Sequence, residues 1–307
     1  MVRLSEAIDT FSKYREMKFK DVTVVRYDRV LRIFCLCMHD PEIEDIKLTQ
    51  VLDHLAEMQK LGWKRNGLNI VALSLRKLFE FYALQGHKVV PPELIPLPRK
   101  EVNIPRVACE ESYKKLLGAI PTDTNHPNHI RNAALISLTW DSGARIGEVL
   151  SLDITDPDTE RRSALIKTEK SRGRRPLREI FWTEETNERL KRWTEKRKEL
   201  AGMYTFKDPD ALFVTLQTTT QSKERGRRMT NRAAAEVFRM ISNQAGLPLV
   251  NAHSMRHAMG RDIVKKGGSN ADVANILGHS NPDSSMIYTM MFGEDLHERW
   301  ELYRGDV

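Results

Sequence analysis

Apolar residues recur at helical spacing through the first third of the chain. Val24, Tyr27, Leu31, Phe34 and Met38 follow at steps of three and four, the stripe of an amphipathic helix from about Asp21 to Met38. The valine-rich start would also suit a strand, but the period favours helix. A second stripe, Val51, Leu52, Leu55, Met58 and Leu61, predicts a helix that Thr49 can cap. A third, with Leu68, Val71, Leu75, Leu78, Phe79 and Tyr82 inward, has Asn66 as candidate cap and Gly86 as its stop. The expectation is a small helical bundle over residues 1–88.

The run Val90-Pro-Pro-Glu-Leu-Ile-Pro-Leu-Pro98 then breaks the pattern. Four prolines so close together exclude regular helix and sheet ladder, which predicts an extended linker over residues 89–105. Residues 106–307 form the second expected domain. Helices are expected near Glu110–Ala119, Asn128–Trp140 and Ala144–Leu150. Residues Ser163–Trp182 read as two short strands around Ser171-Arg172-Gly173-Arg174. Thr183 can cap a charged helix to about Leu200. Further helices are expected over Thr230–Ala245, His253–Lys266 with Gly267 beyond its end, and Ser269–Leu277, where Ser269 and Asp272 make a capping pair. Asn281-Pro282 opens another helix, carrying Tyr288. Leu296, Trp300 and Tyr303 give the tail, Gly293 to Tyr303, an amphipathic character.

Composition narrows the class. With 40% hydrophobic and 30% charged residues the chain reads as an ordinary globular protein, long enough for two domains. Nothing in it has the length of a signal peptide or a membrane span, so a soluble, cytoplasmic protein is expected. Cys35, Cys37 and Cys109 are too few for a disulfide framework, and a lone C-x-C lacks the second pair of a zinc site, so no metal is expected. The net charge of +7 is concentrated: Arg161 to Arg178 contains eight Lys or Arg and one acid. Such a block is either a solvated charged loop or a surface that attracts nucleic-acid phosphates.

Three polar clusters stand out. In His253-Ser-Met-Arg256-His257, an imidazole and a guanidinium share one helical face near a helix start, an arrangement that an anion between them would stabilise. In Trp140-Asp-Ser-Gly-Ala-Arg145-Ile-Gly-Glu148, an arginine sits among apolar neighbours with a carboxylate three residues on, as a partly buried Arg needs. The third is Leu277-Gly-His279, with Tyr288 nine residues later. Each alone also fits ordinary surface polarity or, for the tyrosine, packing.

In this order and spacing, however, the clusters resemble the tyrosine recombinases, and specifically integrase and Xer-type members, from about Pro105 to the end. The resemblance implies a mainly α fold with a small β-hairpin in a mixed α/β catalytic domain. The N-terminal helical lobe would be a core-binding domain, completing a two-lobed DNA clamp. It implies site-specific cleavage and rejoining of double-stranded DNA through a 3′-phosphotyrosine on Tyr288, with no metal, cofactor or ATP. Arg145, His253, Arg256 and His279 would hold the scissile phosphate, and Glu148 would orient Arg145 or a nearby histidine. A hairpin lysine would protonate the leaving 5′-oxygen: Lys170 is the choice because it sits nearer the turn, and Lys167 is the alternative because the arginine-rich hairpin and Pro176 depart from the usual pattern. Arg172, Arg174, Arg175, Lys64, Arg65, Arg99 and Lys100 are the expected DNA-backbone contacts. The family also implies other copies of the chain as partners, a tetramer on DNA with exchange of the C-terminal helix. A type IB topoisomerase shares much of this chemistry, and an integrase kept only for DNA architecture would have lost Arg145, Arg256 or Tyr288, which are all present.

Overall fold

A computed structural model describes residues 2–17, 21–99, 107–121, 125–168, 177–216, 225–278 and 300–301, with backbone alone over 21–23. The chain forms two compact units, Met1–Ile104 and Pro105–Val307.

Among the described residues the first unit is a bundle of four helices, α1 (Leu4–Glu16), α2 (Asp21–Cys37), α3 (Leu48–Lys60) and α4 (Arg65–Ala83). The apolar stripes meet as expected, with Leu31, Phe34, Val51, Leu75, Leu78 and Phe79 all buried. Helix α1 was not foreseen, because its charges obscure Leu4, Ala7, Ile8 and Phe11, which occupy one face and are buried. Two caps are corrected. Helices α3 and α4 start one residue before Thr49 and Asn66 respectively, from Lys47 and Lys64, neither of which caps with its side chain. At α3 the Gln50 side chain accepts from the Lys47 amide instead. A side-chain cap is worth about 1 kcal/mol, whereas each fully buried Leu, Val or Phe is worth about 1.5–3 kcal/mol, so the stripes set these helices without a cap from Thr49 or Asn66. Leu52 and Leu61, expected inside, are exposed at the stripe's edge and end.

The proline-rich stretch is also corrected. Val90 and Ile95 are buried in the first unit's core, a 3-10 turn spans Pro92–Leu94, and the segment is pinned to α4. Arg76 Nε donates to Ile95 O at 2.6 Å, and Asn69 Nδ2 donates to Pro98 O at 2.8 Å. Prolines remove backbone donors, but the carbonyls between them still accept.

The second unit contains α5 (Glu110–Gly118), α6 (Pro127–Ser142), α7 (Ile146–Leu150), β1 (Ser163–Lys167), β2 (Leu177–Phe181), α8 (Glu184–Met203), β3 (Val214–Thr215), β4 (Arg227–Arg228), α9 (Asn231–Gln244), α10 (Ala252–Lys265) and α11 (Asn270–Leu277). Helix α6 is central and packs on both α8 and α10. Its Leu135 and Leu138 share a core with Trp193, Phe213 and Phe238. The two expected strands form an antiparallel hairpin with Ser163 opposite Phe181 and Ile166 opposite Arg178. The short ladder β3–β4 had no signal in the sequence, because two-residue strands show no alternation. Thr183, Thr230 and Ser269 cap their helices through their side chains. Helix α11 packs on α10 through Val264, Val273 and Leu277, and ends at Gly278, whose φ is 68°. The architecture is the expected mainly helical one with small β elements.

Candidate active site

Helix α6 ends at Gly143, which adopts the left-handed conformation (φ 55°). A Cβ there would lie 2.8 Å from Leu277 Cδ2 and 2.9 Å from Met259 Cγ, so only glycine lets the chain turn this close to α10 and α11. Two residues later Arg145 is extended and serves as the N-cap position of α7. Its amide donates to Glu148 Oε2 at 2.9 Å, and its Nη1 donates to Glu148 Oε1 at 2.9 Å and Gly278 O at 3.4 Å. A quarter of its side-chain surface stays open. The ion pair read from the i,i+3 spacing is therefore formed, with a carboxylate whose side chain is fully buried.

Arg256 lies on α10 and is buried. Its Nη1 donates to Gly143 O at 2.8 Å and its Nη2 to Leu277 O at 2.6 Å. Two arginines 111 positions apart in sequence thus grip successive carbonyls, Leu277 and Gly278, at the end of α11. A helix C-terminus carries a partial negative charge, so cations are stabilised there. His253 stands in the first turn of α10, which is fixed by a capping box in which Asn251 Oδ1 accepts from Ser254 N. Its Nε2 is 2.9 Å from Nε2 of the buried His257. One ring must donate and the other accept, so the pair cannot be doubly protonated while this bond is made.

Two features escaped the sequence reading. Arg178 on β2, counted there only as part of the basic block, is 8% exposed. Its Nη2 donates to Glu148 Oε2 at 2.7 Å and its Nη1 to Ile276 O at 2.7 Å. Strand alternation could have flagged it, since it shares the inward face with Ile180 and with its cross-strand partner Ile166, both buried. His257 was quoted in its motif without a role. Burial pushes the Glu148 carboxyl up, but the Arg178 charge, the Arg145 amide and the Arg145 charge outweigh it and hold it below its ordinary value.

Lys170, His279 and Tyr288 lie outside the described residues, as do Arg172, Arg174, Arg175, Lys100 and the tail apart from Trp300 and Glu301. Lys167 is exposed on β1. In the first unit Lys64 and Arg65 are exposed at the start of α4, and Arg99 is exposed beyond the proline-rich stretch. Among the described residues no His, Cys, Asp and Glu cluster is arranged to hold a metal ion, and no helix is long and apolar enough to cross a membrane.

Residues 107–294 match the model of the phage integrase family. The chain belongs to this family. Relatives extend the match over the first unit as well. Tyrosine recombinase XerA of Pyrococcus furiosus is 23% identical over 97% of this chain and 93% of its own length. Tyrosine recombinase XerD of Neisseria meningitidis serogroup B is 30% identical over 65% of this chain and 63% of its own. Among solved structures, the Tn1549 transposon integrase in complex with transposon right end DNA superposes with a TM-score of 0.74, at 19% identity, covering 99% of this chain and all of that one. The chain is accordingly a tyrosine recombinase, an enzyme of site-specific DNA strand cleavage and rejoining.

Proposed function

We propose that Arg145 and Arg256 clasp a single DNA phosphodiester while the Tyr288 phenol attacks its phosphorus. The observation that carries this assignment is the convergence of both guanidinium groups on the last carbonyls of α11, immediately before His279. A phosphoryl group gains charge on its non-bridging oxygens as the new P–O bond forms. Guanidinium forks held in advance by backbone carbonyls stabilise that charge without reorganising, and one such donor is worth about 2.7–4 kcal/mol. The phenol, with an unperturbed pKa near 10, is a poor nucleophile by itself. His253, at the open edge of α10, accepts its proton or hydrogen-bonds the phosphate, and His279 adds a further contact. The 5′-oxygen leaves with a proton from the hairpin lysine, Lys170, with Lys167 one rung from Arg178 as the alternative. The 3′-phosphate stays on Tyr288, and attack by a second strand's 5′-hydroxyl reverses the step, so the bond energy is kept without ATP.

The first unit acts as the second half of a DNA-binding pair of domains, with Lys64, Arg65, Arg99 and Lys100 on the DNA backbone and Arg172, Arg174 and Arg175 on the hairpin side. Four copies assemble on paired sites, and the C-terminal segment with the exposed Trp300 links one to the next.

Duplexes that co-purify with the protein from cells supply the site, and a nicked version of it tests the reading. A covalent 3′-linked adduct is expected, and Tyr288→Phe should abolish it. Absence of any adduct with wild type, or its persistence in the Phe variant, would overturn the assignment. Plasmid relaxation with no two-site product would point instead to a topoisomerase.

A further inference from the structure

We propose that Arg178 is a positioning residue for strand cleavage: it sets the two phosphate-binding arginines by tying the base of the β1–β2 hairpin to Glu148 and to the last turn of α11. The inference rests on the role proposed above for Arg145 and Arg256.

Three guanidinium groups donate to three successive carbonyls, Arg178 to Ile276, Arg256 to Leu277 and Arg145 to Gly278. Two of them share one carboxylate, since Glu148 accepts from Arg145 through Oε1 and from Arg178 through Oε2. Arg178 therefore shares one anchor of Arg145, the carboxylate, and grips the α11 end two carbonyls before the other. It touches the anchor of Arg256 through the same turn.

Its hydrogen bonds are made inside the protein. Both terminal nitrogens are engaged, the side chain is 8% exposed, and Nε faces the backbone of Gly278 so closely that a Cβ there would lie 2.5 Å away. Arg145, by contrast, keeps a quarter of its side-chain surface open. Arg178 holds and Arg145 binds. Arg178 also stands opposite Ile166, one rung from Lys167, so the same contact fixes where the lysine-bearing hairpin leaves the domain. Hairpin placement and phosphate grip are coupled through this one side chain.

A lysine at this position keeps the charge but has a single nitrogen, which cannot span Glu148 and Ile276 O with fork geometry. With the nicked duplex described above, single-turnover cleavage by Arg178→Lys should fall on the order of 100-fold, as for a catalytic group displaced by about 1 Å. DNA affinity should stay within about threefold of wild type, because the side chain is mostly buried and bonded within the protein. Arg178→Ala should regain part of its cleavage when guanidinium ion is added at concentrations that leave wild type unchanged. A purely structural role would not give this recovery. Wild-type cleavage by Arg178→Lys, or parallel loss of binding and cleavage, would overturn the proposal. So would a collapse of thermal melting in both variants, since Arg178 would then hold the fold rather than the forks. If wild type itself forms no adduct, the Tyr288 reading fails instead, and the two failures are told apart.

Discussion

Glu148→Gln isolates the electrostatic link at the centre of the site. The carboxylate is fully buried and accepts from the Arg145 guanidinium, the Arg145 amide and the Arg178 guanidinium. The amide keeps the shape but loses the charge. Each guanidinium then keeps at most a one-sided charge-assisted bond and loses its ion-pair partner. The new NH2 group must also face a guanidinium donor, leaving a buried donor unsatisfied at about 1–3 kcal/mol. The expected loss is about 3–5 kcal/mol, as when one partner of a buried ion pair is removed. For a unit of this size that is roughly 10 °C in Tm. Fluorescence of the buried Trp182 and Trp193 reports the unfolding of this unit.

The effect has a pH signature. Because the folded carboxyl titrates below its ordinary value, its contribution is complete above the unfolded value of about 4.3 and is lost as pH falls through the lower folded value. The gap between wild type and Glu148→Gln should be widest near neutrality and close in strong acid. A gap under about 1 kcal/mol at pH 7, or one that stays constant into acid, would refute an ionised, buried carboxylate shared by two arginines.

Gly143→Ala should destabilise the same unit by about 2–4 kcal/mol, combining left-handed strain with overpacking against Leu277 and Met259. Thermal melting checks this, and cleavage should fall further than stability because the Gly143 carbonyl orients Arg256. Arg256→Ala should lower cleavage of a nicked site by at least about 100-fold while changing the DNA Kd far less, since its contact strengthens in the transition state; equal losses in both would contradict that. Replacing Lys64 and Arg65 together by Gln should reduce the slope of log K against log salt by about 1.8, at about 0.9 per phosphate contact, as read by fluorescence anisotropy across a salt series. An unchanged slope would remove α4's start from the DNA interface.

What could be read directly from the residues was mostly local. The stripes of α2 and α4, the stop at Gly86, the side-chain caps Thr183 and Ser269, and the Arg145–Glu148 pair all lie within a few turns of chain, where backbone geometry alone brings residues together. The motif order also carried the family. Tertiary structure decided which polar residues share a site, because burial and long-range pairing depend on partners far along the chain. Arg178 looked like one more cation in a basic block until β2 turned it inward onto Glu148, 30 positions away. Leu52 and Leu61 fitted their stripe and yet lie outside, since the bundle covers only part of α3. The prolines of residues 91–98 were read as a tether, but their neighbours Val90 and Ile95 found a core to enter. Periodicity states which face of an element is apolar, and only packing states what that face meets.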